Sequence, residues 1–354
     1  MKALITAGGY GTRLRPITHT QNKHLIPIAN KIMLEYALDY ISEAGITEVG
    51  IVVNAGDKSI KNVFKTRYDL GLNISYIEQS APKGLAHVVK ISEGFIKDEP
   101  FVFYLGDNIL VGGIGQFIQK FNNNKSNCHL VLSRVHDPNR FGVAEVLDNE
   151  IVSIAEKPEK PKSDLAVTGI YLYDSNIFQA VNSIKPSTRG ELEISDAHQY
   201  LLDKNFSVTY SEITGWWKDT GKPSDLLEAN RLVLDNIKDS RKAEIDDKSD
   251  ISGRVQLGIG TKIVNSTIRG PAIIGKNAQI ENAYIGPYSS VGDKCYINGS
   301  ELEFSIIMES CNITNVKNRI EGSLIGNDVK VSGSNRKPKS HRFILGDQSR
   351  IEIE

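Results

Sequence analysis

The chain has 354 residues, and its 42 Lys and Arg residues against 43 Asp and Glu residues leave a formal net charge of -1. At roughly 150 residues per domain, this length predicts about two domains. Its 40% hydrophobic and 24% charged residues are typical of a folded globular protein. The balanced charge excludes a strongly basic surface of the kind that attracts nucleic acid or anionic membranes, so we expect neither as a partner.

The cysteines and the apolar runs indicate the compartment. Cys128, Cys295 and Cys311 form no CxxC pair and no metal-ligand spacing, which favours a reducing environment. No apolar run approaches the ~18 residues of a transmembrane helix, and the first run ends at Gly8, too early for a signal peptide. We therefore predict a cytoplasmic protein.

The first two-thirds of the chain alternates short apolar runs with amphipathic stretches. Strands are predicted at 2–7, 48–53, 73–78 and 101–105, and helices at 33–44, 60–67 and 86–95. This alternation predicts a Rossmann-like α/β domain with a mixed, mostly parallel sheet, over residues 1–237. Apolar runs at 130–135, 143–147, 151–155 and 167–173, with little helix between them, predict an antiparallel extension of that sheet.

The last third of the chain has a different pattern. A charged stretch at 238–250 predicts a linker. Beyond it aliphatic residues recur at a spacing of 17, as at Leu257, Ile274 and Val291, which fits coils with three sides of about six residues. We predict a left-handed parallel β-helix of hexapeptide repeats at 251–335, followed by a C-terminal tail at 336–354.

A glycine-rich loop follows the first strand and reads GGYGTRLRP from Gly8 to Pro16. Its glycines let backbone N–H groups approach phosphate oxygens, and Arg13 can form two hydrogen bonds with an anion. A dinucleotide-binding fingerprint would need a third glycine at Leu14, and a Walker A loop would need Gly-Lys-Ser/Thr. A structural turn alone would not need Arg13.

Several motifs together resemble a known family. The segment GGYGTRLRPIT, followed by Lys23, is similar to the signature of the sugar-1-phosphate nucleotidylyltransferases. Further blocks in family order are QSAPKGLA at 79–86, LGDN at 105–108, FGV at 141–143, EKP at 156–158, VTGIY at 167–171, RGELEISD at 189–196 and WKDTG at 217–221. The set most closely resembles the glucose-1-phosphate thymidylyltransferases, whose longer subgroup carries an added β-helix.

The resemblance implies Mg²⁺-dependent transfer of a deoxythymidylyl group from dTTP to a sugar 1-phosphate. It assigns Mg²⁺ to Asp107 and Asp219, a cation that takes one or two carboxylates together with substrate phosphates. It assigns catalytic positive charge to Arg13, Lys23 and Lys157. The implied nucleotide-binding residues are Gly8, Gly9, Gly11, Thr12, Arg13, Gln79, Gly84 and Asp107, and the implied sugar-phosphate-binding residues are Gly142, Glu156, Lys157, Val167, Tyr171 and Arg189.

The sequence is also consistent with other substrates and functions. Phe141 stands where many relatives carry Tyr, and Lys31-Ile32 where they carry Lys-Pro, which leaves the sugar preference open. Uracil and thymine differ by one methyl group, so a uridylyltransferase is an alternative. A bifunctional nucleotidylyltransferase and acetyltransferase acting on amino-sugar phosphates is another, although residues 251–335 contain no histidine base. The β-helix alternatively serves assembly or regulation, and we expect a homo-oligomer.

Overall fold

The computed structural model of this chain describes residues 1–67, 70–334 and 340–353. Contacts between residues divide the chain into two units. The first unit contains Met1–Tyr10 and Leu34–Asp219, and the second contains Gly11–Met33 and Thr220–Glu354. The chain therefore passes from one unit to the other more than once, whereas the sequence predicted a single boundary at 238–250.

The secondary structure up to residue 234 alternates strands and helices. The helices are α1 Met33–Glu43, α2 Ser59–Arg67, α3 Leu85–Ile91, α4 Glu93–Ile96, α5 Gly115–Asn124, α6 Ile177–Ser183, α7 Ile194–Asp203 and α8 Pro223–Leu234. The strands are β1 Lys2–Thr6, β2 Pro27–Ile28, β3 Lys31–Ile32, β4 Glu48–Asn54, β5 Asn73–Gln79, β6 Phe101–Leu105, β7 Asn108–Leu110, β8 Cys128–Arg134, β9 Gly142–Leu147, β10 Glu150–Glu156, β11 Leu165–Tyr173, β12 Val208–Glu212 and β13 Trp217–Asp219.

The first unit is built on a mixed sheet with the strand order β10-β9-β11-β6-β1-β4-β5, to which β8 and β12 add beside β11. Strands β6, β1, β4 and β5 run parallel to one another, while β11 is antiparallel to β6, β8 and β9. Every residue of β11 is buried, as expected for a strand covered on both faces. The predicted parallel core with its antiparallel extension is confirmed.

The second unit contains three stacks of short parallel strands. They are β14 Ser240–Arg241, β15 Glu244–Ile245, β16 Asp250–Ser252, β17 Val255–Leu257, β18 Lys262–Val264, β19 Thr267–Arg269, β20 Ala272–Ile274, β21 Gln279–Glu281, β22 Tyr284–Ile285, β23 Ser289–Val291, β24 Tyr296–Asn298, β25 Glu301–Glu303, β26 Ile306–Ile307, β27 Asn312–Thr314, β28 Ile320–Glu321, β29 Leu324–Ile325 and β30 Lys330–Ser332. Every third strand belongs to the same sheet, as in a left-handed parallel β-helix.

Aliphatic side chains stack in register through the interior of the β-helix. Ile263 pairs with Ile280, which pairs with Ile297, and all three are fully buried. Glycine fills the corner after one of the sheets because successive coils approach closely there. A Cβ on Gly258 would lie 2.5 Å from the backbone of Gly275 in the next coil. The 17-residue spacing of the aliphatic residues thus corresponds to one complete coil.

The predicted linker at 238–250 differs from the structure. Its residues contribute β14, β15 and the first residue of β16, which pair in parallel with β17, β18 and β19. A coil side of two or three residues needs only one inward apolar side chain, and Ala243 and Ile251 pack against the buried aliphatic cluster. The charged residues lie on the outside, so this segment is the first coil of the β-helix.

The predicted C-terminal tail lies partly outside the described residues, since 335–339 and Glu354 are not among them. Residues 340–353 form no helix or strand. Among the described residues of the whole chain, no helix combines the length and the apolar character needed to cross a membrane.

A buried histidine in the first unit makes stability depend on pH. His198 on α7 is fully buried, and its Nε2 lies 2.6 Å from the Tyr173 hydroxyl. Burial lowers the pKa of His198 from 6.5 to about 3. Between these values the unfolded chain binds the proton and the folded chain does not. The contribution of neutral His198 is therefore complete above pH 6.5 and is lost as the pH falls toward 3.

We expect the free energy of unfolding to fall by about 1.4 kcal/mol per pH unit for this group below about pH 6. Urea unfolding at pH 7.5 and 5.0 measures it. His198→Gln should weaken the pH dependence by about 2 kcal/mol over that range, and the exposed His136→Gln, which removes no buried imidazole, is the control. An unchanged pH dependence in His198→Gln would contradict the prediction.

Candidate active site

The carboxyl ends of the parallel strands in the first unit bring several predicted residues to one edge of the sheet. Gly8 and Gly9 follow β1, Gln79 ends β5, and Asp107 follows β6 after one glycine. Asn54 at the end of β4 supports the glycine loop, because its Oδ1 accepts a hydrogen bond of 2.9 Å from the Gly9 N–H. In open α/β sheets this edge is where ligands bind.

Strand pairing brings the two predicted metal ligands together. Strands β7 and β13 are antiparallel, and Asp219 lies opposite Asn108, the residue after Asp107. Asn108 Nδ2 donates to Asp107 Oδ1 at 3.0 Å, and Trp217 Nε1 donates to Asn108 Oδ1 at 2.6 Å. The Asn108 amide therefore links the strand that carries Asp219 to the Asp107 carboxylate.

This pair of carboxylates has the donor chemistry that Mg²⁺ prefers. Mg²⁺ binds through one or two carboxylates and completes its shell with waters and phosphate oxygens. No group of three or more His, Cys, Asp or Glu residues in the described part of the chain could hold a metal ion by itself. Asp107 and Asp219 thus fit a cation that also needs the substrate phosphates.

A cavity of about 460 Å³ lies beside the end of β10. Glu156, Lys157 and Arg189 line it, together with Glu193 and Asp196. Glu156 Oε1 lies 3.2 Å from an Arg189 nitrogen and 3.4 Å from Lys157 Nζ. One carboxylate therefore holds both cations that the resemblance assigns to the sugar phosphate.

The other oxygen of Glu156 is also held in place. Ser195 Oγ donates to Glu156 Oε2 at 2.7 Å. Gly142 is the β9 partner of Glu156, and a Cβ on Gly142 would lie 2.5 Å from Ser195 Oγ. A side chain at 142 would displace the hydroxyl that donates to Glu156, so glycine preserves this contact.

Glu193 is a residue that the sequence analysis did not single out. It is buried, and its Oε1 accepts a hydrogen bond from Arg189 Nε at 3.2 Å and from Ser187 Oγ at 2.7 Å. Burial, then the nearby charges of Glu193 and Glu156, raises the pKa of Asp196. Glu193 belongs to the RGELEISD block, but its burial depends on the packing of the α7 N-terminus, which no local pattern reports.

The predicted sugar-pocket residues on β11 are buried strand residues. Val167 and Tyr171 are 7% and 3% exposed. Burial, followed by the charges of Glu156, Asp107 and Asp219, raises the pKa of Tyr171. Tyr171 therefore lies in the electrostatic field of all three carboxylates, whereas ordinary strand packing accounts for the burial of Val167.

The structure explains the residue types at two positions predicted to contact the nucleotide base. Gln79 is buried, and its Nε2 lies 3.0 Å from His87 Nδ1, a partner that the sequence analysis missed. Gly84 precedes α3 with φ +95°, and a Cβ there would collide with the Leu192 carbonyl oxygen. Only glycine therefore fits at 84.

The remaining predicted cations belong to the second unit. Gly11, with φ +56°, precedes a 3₁₀ turn of Thr12, Arg13 and Leu14, and Thr18 Oγ1 donates to the Gly11 carbonyl at 2.8 Å. A Cβ on Gly11 would lie 3.2 Å from Lys23 Cβ. The loop glycine and Lys23 are therefore direct neighbours.

Arg13 packs against Gly221 of the WKDTG block. A Cβ on Gly221 would lie 2.9 Å from an Arg13 Nη atom. Glycine at 221 therefore leaves room for the guanidinium, which explains why that block ends in glycine.

The nucleotidyl transferase family model matches residues 2–236. This chain belongs to the nucleotidyl transferase family. It is 48% identical to the glucose-1-phosphate thymidylyltransferase of Streptomyces antibioticus, with 100% of both chains covered. It is 46% identical to the enzyme of the same name from Streptomyces griseus, with 100% of this chain and 99% of the relative covered.

A solved structure of a UDP-glucose pyrophosphorylase complexed with UDP-glucose is also similar. The TM-score is 0.62 at 28% identity, covering 67% of this chain and 99% of the solved chain. About two-thirds of the chain therefore shares its fold with a protein named for a uridine nucleotide, while the Streptomyces relatives are named for a thymidine nucleotide.

Proposed function

We propose that the chain transfers a deoxythymidylyl group from dTTP to α-D-glucose 1-phosphate, giving dTDP-glucose and pyrophosphate, with Mg²⁺ as cofactor. The observation that carries the proposal is the full-length identity of 48% to a glucose-1-phosphate thymidylyltransferase. The β7–β13 pairing that places Asp219 opposite Asn108 supports the metal assignment.

The reaction is an in-line displacement at phosphorus. An oxygen of the sugar phosphate forms a bond to the α-phosphorus of dTTP, and the bond from that phosphorus to the bridging oxygen of pyrophosphate breaks. No covalent protein intermediate is required, so the protein contributes position and charge. When bound by Asp107 and Asp219, Mg²⁺ supplies positive charge to the phosphate oxygens.

Arg13 and Lys23 stabilise the negative charge of the triphosphate in this proposal. The charge on the equatorial oxygens and on the departing pyrophosphate increases as the bond breaks, and fixed cations stabilise it without reorganising. Both side chains extend from short 3₁₀ turns, Thr12–Leu14 and Lys23–Leu25.

Lys157 binds the phosphate of the sugar substrate and orients its attacking oxygen. Glu156 accepts hydrogen bonds from sugar hydroxyls, and Arg189 supports both. The 3.2 Å and 3.4 Å contacts of Glu156 with Arg189 and Lys157 preorganise this group. Gly142, Val167 and Tyr171 enclose the sugar.

The nucleotide base is read by Gln79 and by backbone at Gly8 and Gly84. An amide can donate to one pyrimidine atom and accept from another, and the contact with His87 holds the Gln79 amide in one orientation. The two glycines let the backbone approach the ligand closely.

Pyrophosphate release from dTTP, dUTP and UTP, each with a panel of sugar 1-phosphates, tests the proposed function. We expect the highest kcat/KM with dTTP and glucose 1-phosphate. The preference for dTTP over dUTP, which differs from it by one methyl group, should be about 10- to 200-fold, and UTP, which also carries a 2′-hydroxyl, should be used less well than dTTP. A preference for UTP would favour the uridylyltransferase alternative and contradict the proposed transfer of a deoxythymidylyl group.

A second assay addresses the bifunctional alternative. Acetyl-CoA turnover with glucosamine 1-phosphate should be absent, because the β-helix carries no histidine between residues 251 and 335. Turnover in this assay would overturn a single-function assignment.

We further propose a cytoplasmic homo-oligomer. All three cysteines are free and buried, which supports a reducing compartment. The long faces of a β-helix offer surfaces for subunit contacts. Light scattering of the full chain measures the mass, and a monomer would contradict the proposed assembly.

A further inference from the structure

The segment that carries Arg13 and Lys23 belongs to the same unit as the β-helix. We call residues 11–33 the phosphate segment, because the proposed function assigns the triphosphate to its cations. Within this unit the phosphate segment is accompanied by α8 and all coils of the β-helix. Helix α8 contacts both β2, in the phosphate segment, and β23, in the β-helix.

One buried amide joins these three parts. Asn230 on α8 is 0% exposed. Its Oδ1 accepts a hydrogen bond from the Ala29 N–H at 2.8 Å and from Ser290 Oγ at 2.6 Å. Its Nδ2 donates to the Tyr288 carbonyl at 3.0 Å. The phosphate segment is thus bonded through a single side chain to helix α8 and to one coil of the β-helix.

The turn that Asn230 holds has an unusual backbone. Ala29 and Asn30 have φ of +48° and +59°, a region that L-residues rarely adopt, so the turn depends on its surroundings. Asn30 Nδ2 donates to the Val291 carbonyl at 2.7 Å. Two hydrogen bonds therefore hold this turn, one to helix α8 and one to the coil at Val291.

The residues at the coil corners after β23, β26 and β29 occupy equivalent positions. Val291, Ile307 and Ile325 are paired in successive coils, so the corner residues that follow them are equivalent. Those corners are Gly292, Met308 and Gly326, and Gly258 and Gly275 occupy the same position in earlier coils. Methionine thus interrupts a row of glycines.

Met308 contacts the phosphate segment. It is 0% exposed, and Gln21 Nε2 lies 3.5 Å from its Sδ. At the next corner a Cβ on Gly326 would lie 3.1 Å from Ile17 Cδ1. The phosphate segment therefore lies along the corners after β23, β26 and β29, and the one methionine in the row fills space against it.

We propose that the β-helix positions the phosphate segment, which carries Arg13 and Lys23. Asn230 is the positioning residue that connects the two. The β-helix is then part of the nucleotide-binding apparatus, and its contribution is to the triphosphate and not to the sugar. The inference rests on the proposed function, because that function assigns phosphate binding to this segment.

The kinetic test compares Asn230→Ala with Asn298→Ala. Asn298 lies on β24 of the β-helix, and its amide bonds to the side chains of Glu281 and Tyr296 but not to the phosphate segment, so it is the matched control. Because small misplacements of positioning groups are costly, we expect kcat/KM for dTTP to fall about 10- to 100-fold in Asn230→Ala. The KM for the sugar 1-phosphate should stay within about twofold of wild type.

Hydrogen exchange gives a test that needs no activity. Loss of the Asn230 bonds should speed amide exchange in residues 17–30 by about tenfold or more, the effect expected for a buried hydrogen bond. Asn298→Ala should leave exchange in these residues unchanged. Unchanged exchange in Asn230→Ala overturns the inference, even if the wild-type protein shows no pyrophosphate release and the proposed function itself fails.

Two milder variants keep the inference testable if Asn230→Ala does not fold. Asn30→Gly removes the bond to Val291 and tolerates the positive φ of this position, and Gln21→Ala removes the contact with Met308 without emptying a buried site. Each should raise the KM for dTTP and speed exchange in the phosphate segment. Equal losses toward dTTP and the sugar 1-phosphate, or a loss of stability with wild-type kinetics, would show that these residues serve folding alone.

Discussion

Asp219→Asn should lower kcat/KM for both substrates by about 10²- to 10³-fold. The substitution keeps the shape of the side chain and removes the negative charge that the proposed Mg²⁺ needs. Removing one group that stabilises charge developing in the transition state commonly lowers kcat by about 10²- to 10³-fold. Asp107→Asn should have an effect of similar size, because strand pairing places Asp219 opposite the residue after Asp107.

The measurement is pyrophosphate release as a function of Mg²⁺ concentration. The concentration of Mg²⁺ needed for half-maximal rate should rise in both variants. Asp164→Asn is the control, since this exposed carboxylate pairs with Arg134 at 2.7 Å in the same unit. Activity of Asp219→Asn within a few-fold of wild type, at unchanged Mg²⁺ dependence, would refute the metal assignment.

Lys157→Met should raise the KM for glucose 1-phosphate and lower kcat/KM by about 10²-fold. The change keeps an unbranched chain of similar length and removes the charge proposed to bind the sugar phosphate. Hydrogen bonds between charged groups are about twice as strong as neutral ones, so the loss is larger than for a polar contact. The affinity for dTTP should stay near the wild-type value.

Initial rates at varied glucose 1-phosphate and calorimetric titration with dTTP separate the two effects. The matched control is Lys162→Met, because Lys162 is 68% exposed and forms a 2.7 Å ion pair with Glu145. Such exposed ion pairs contribute little, so this variant should resemble wild type. An equal loss of dTTP affinity in Lys157→Met would place Lys157 on the nucleotide instead.

The residues proposed to bind the two substrates are held in different ways. Glu156, Arg189 and Glu193 form a network of charges around the sugar-phosphate cavity, so neighbouring side chains fix the cations there. The phosphate segment is held by two hydrogen bonds between side chains and backbone: Asn30 Nδ2 donates to the Val291 carbonyl, and Asn230 Oδ1 accepts from the Ala29 N–H. Because salt screens interactions between charges, added salt should weaken the contacts of the charge network more than the hydrogen bonds that hold the phosphate segment.

Much of the fold followed from sequence periodicity. Strands covered on both faces, such as β4, read as continuous apolar runs, and they were predicted close to their observed bounds. The coil repeat was visible because each turn of a solenoid places the same inward position 17 residues later, as from Ile263 to Ile280. The charged segment 238–250 was misjudged because a coil side needs so few apolar residues.

The sequence by itself determined the order of elements, the residue types available for phosphate and metal, and the family. Only the tertiary structure decided which polar residues are buried and bonded. Asn230 resembles any polar residue of a surface helix, yet its partners Ala29 and Ser290 lie 201 and 60 residues away. Burial and hydrogen bonding depend on segments that are distant along the chain, and local sequence patterns carry no record of them.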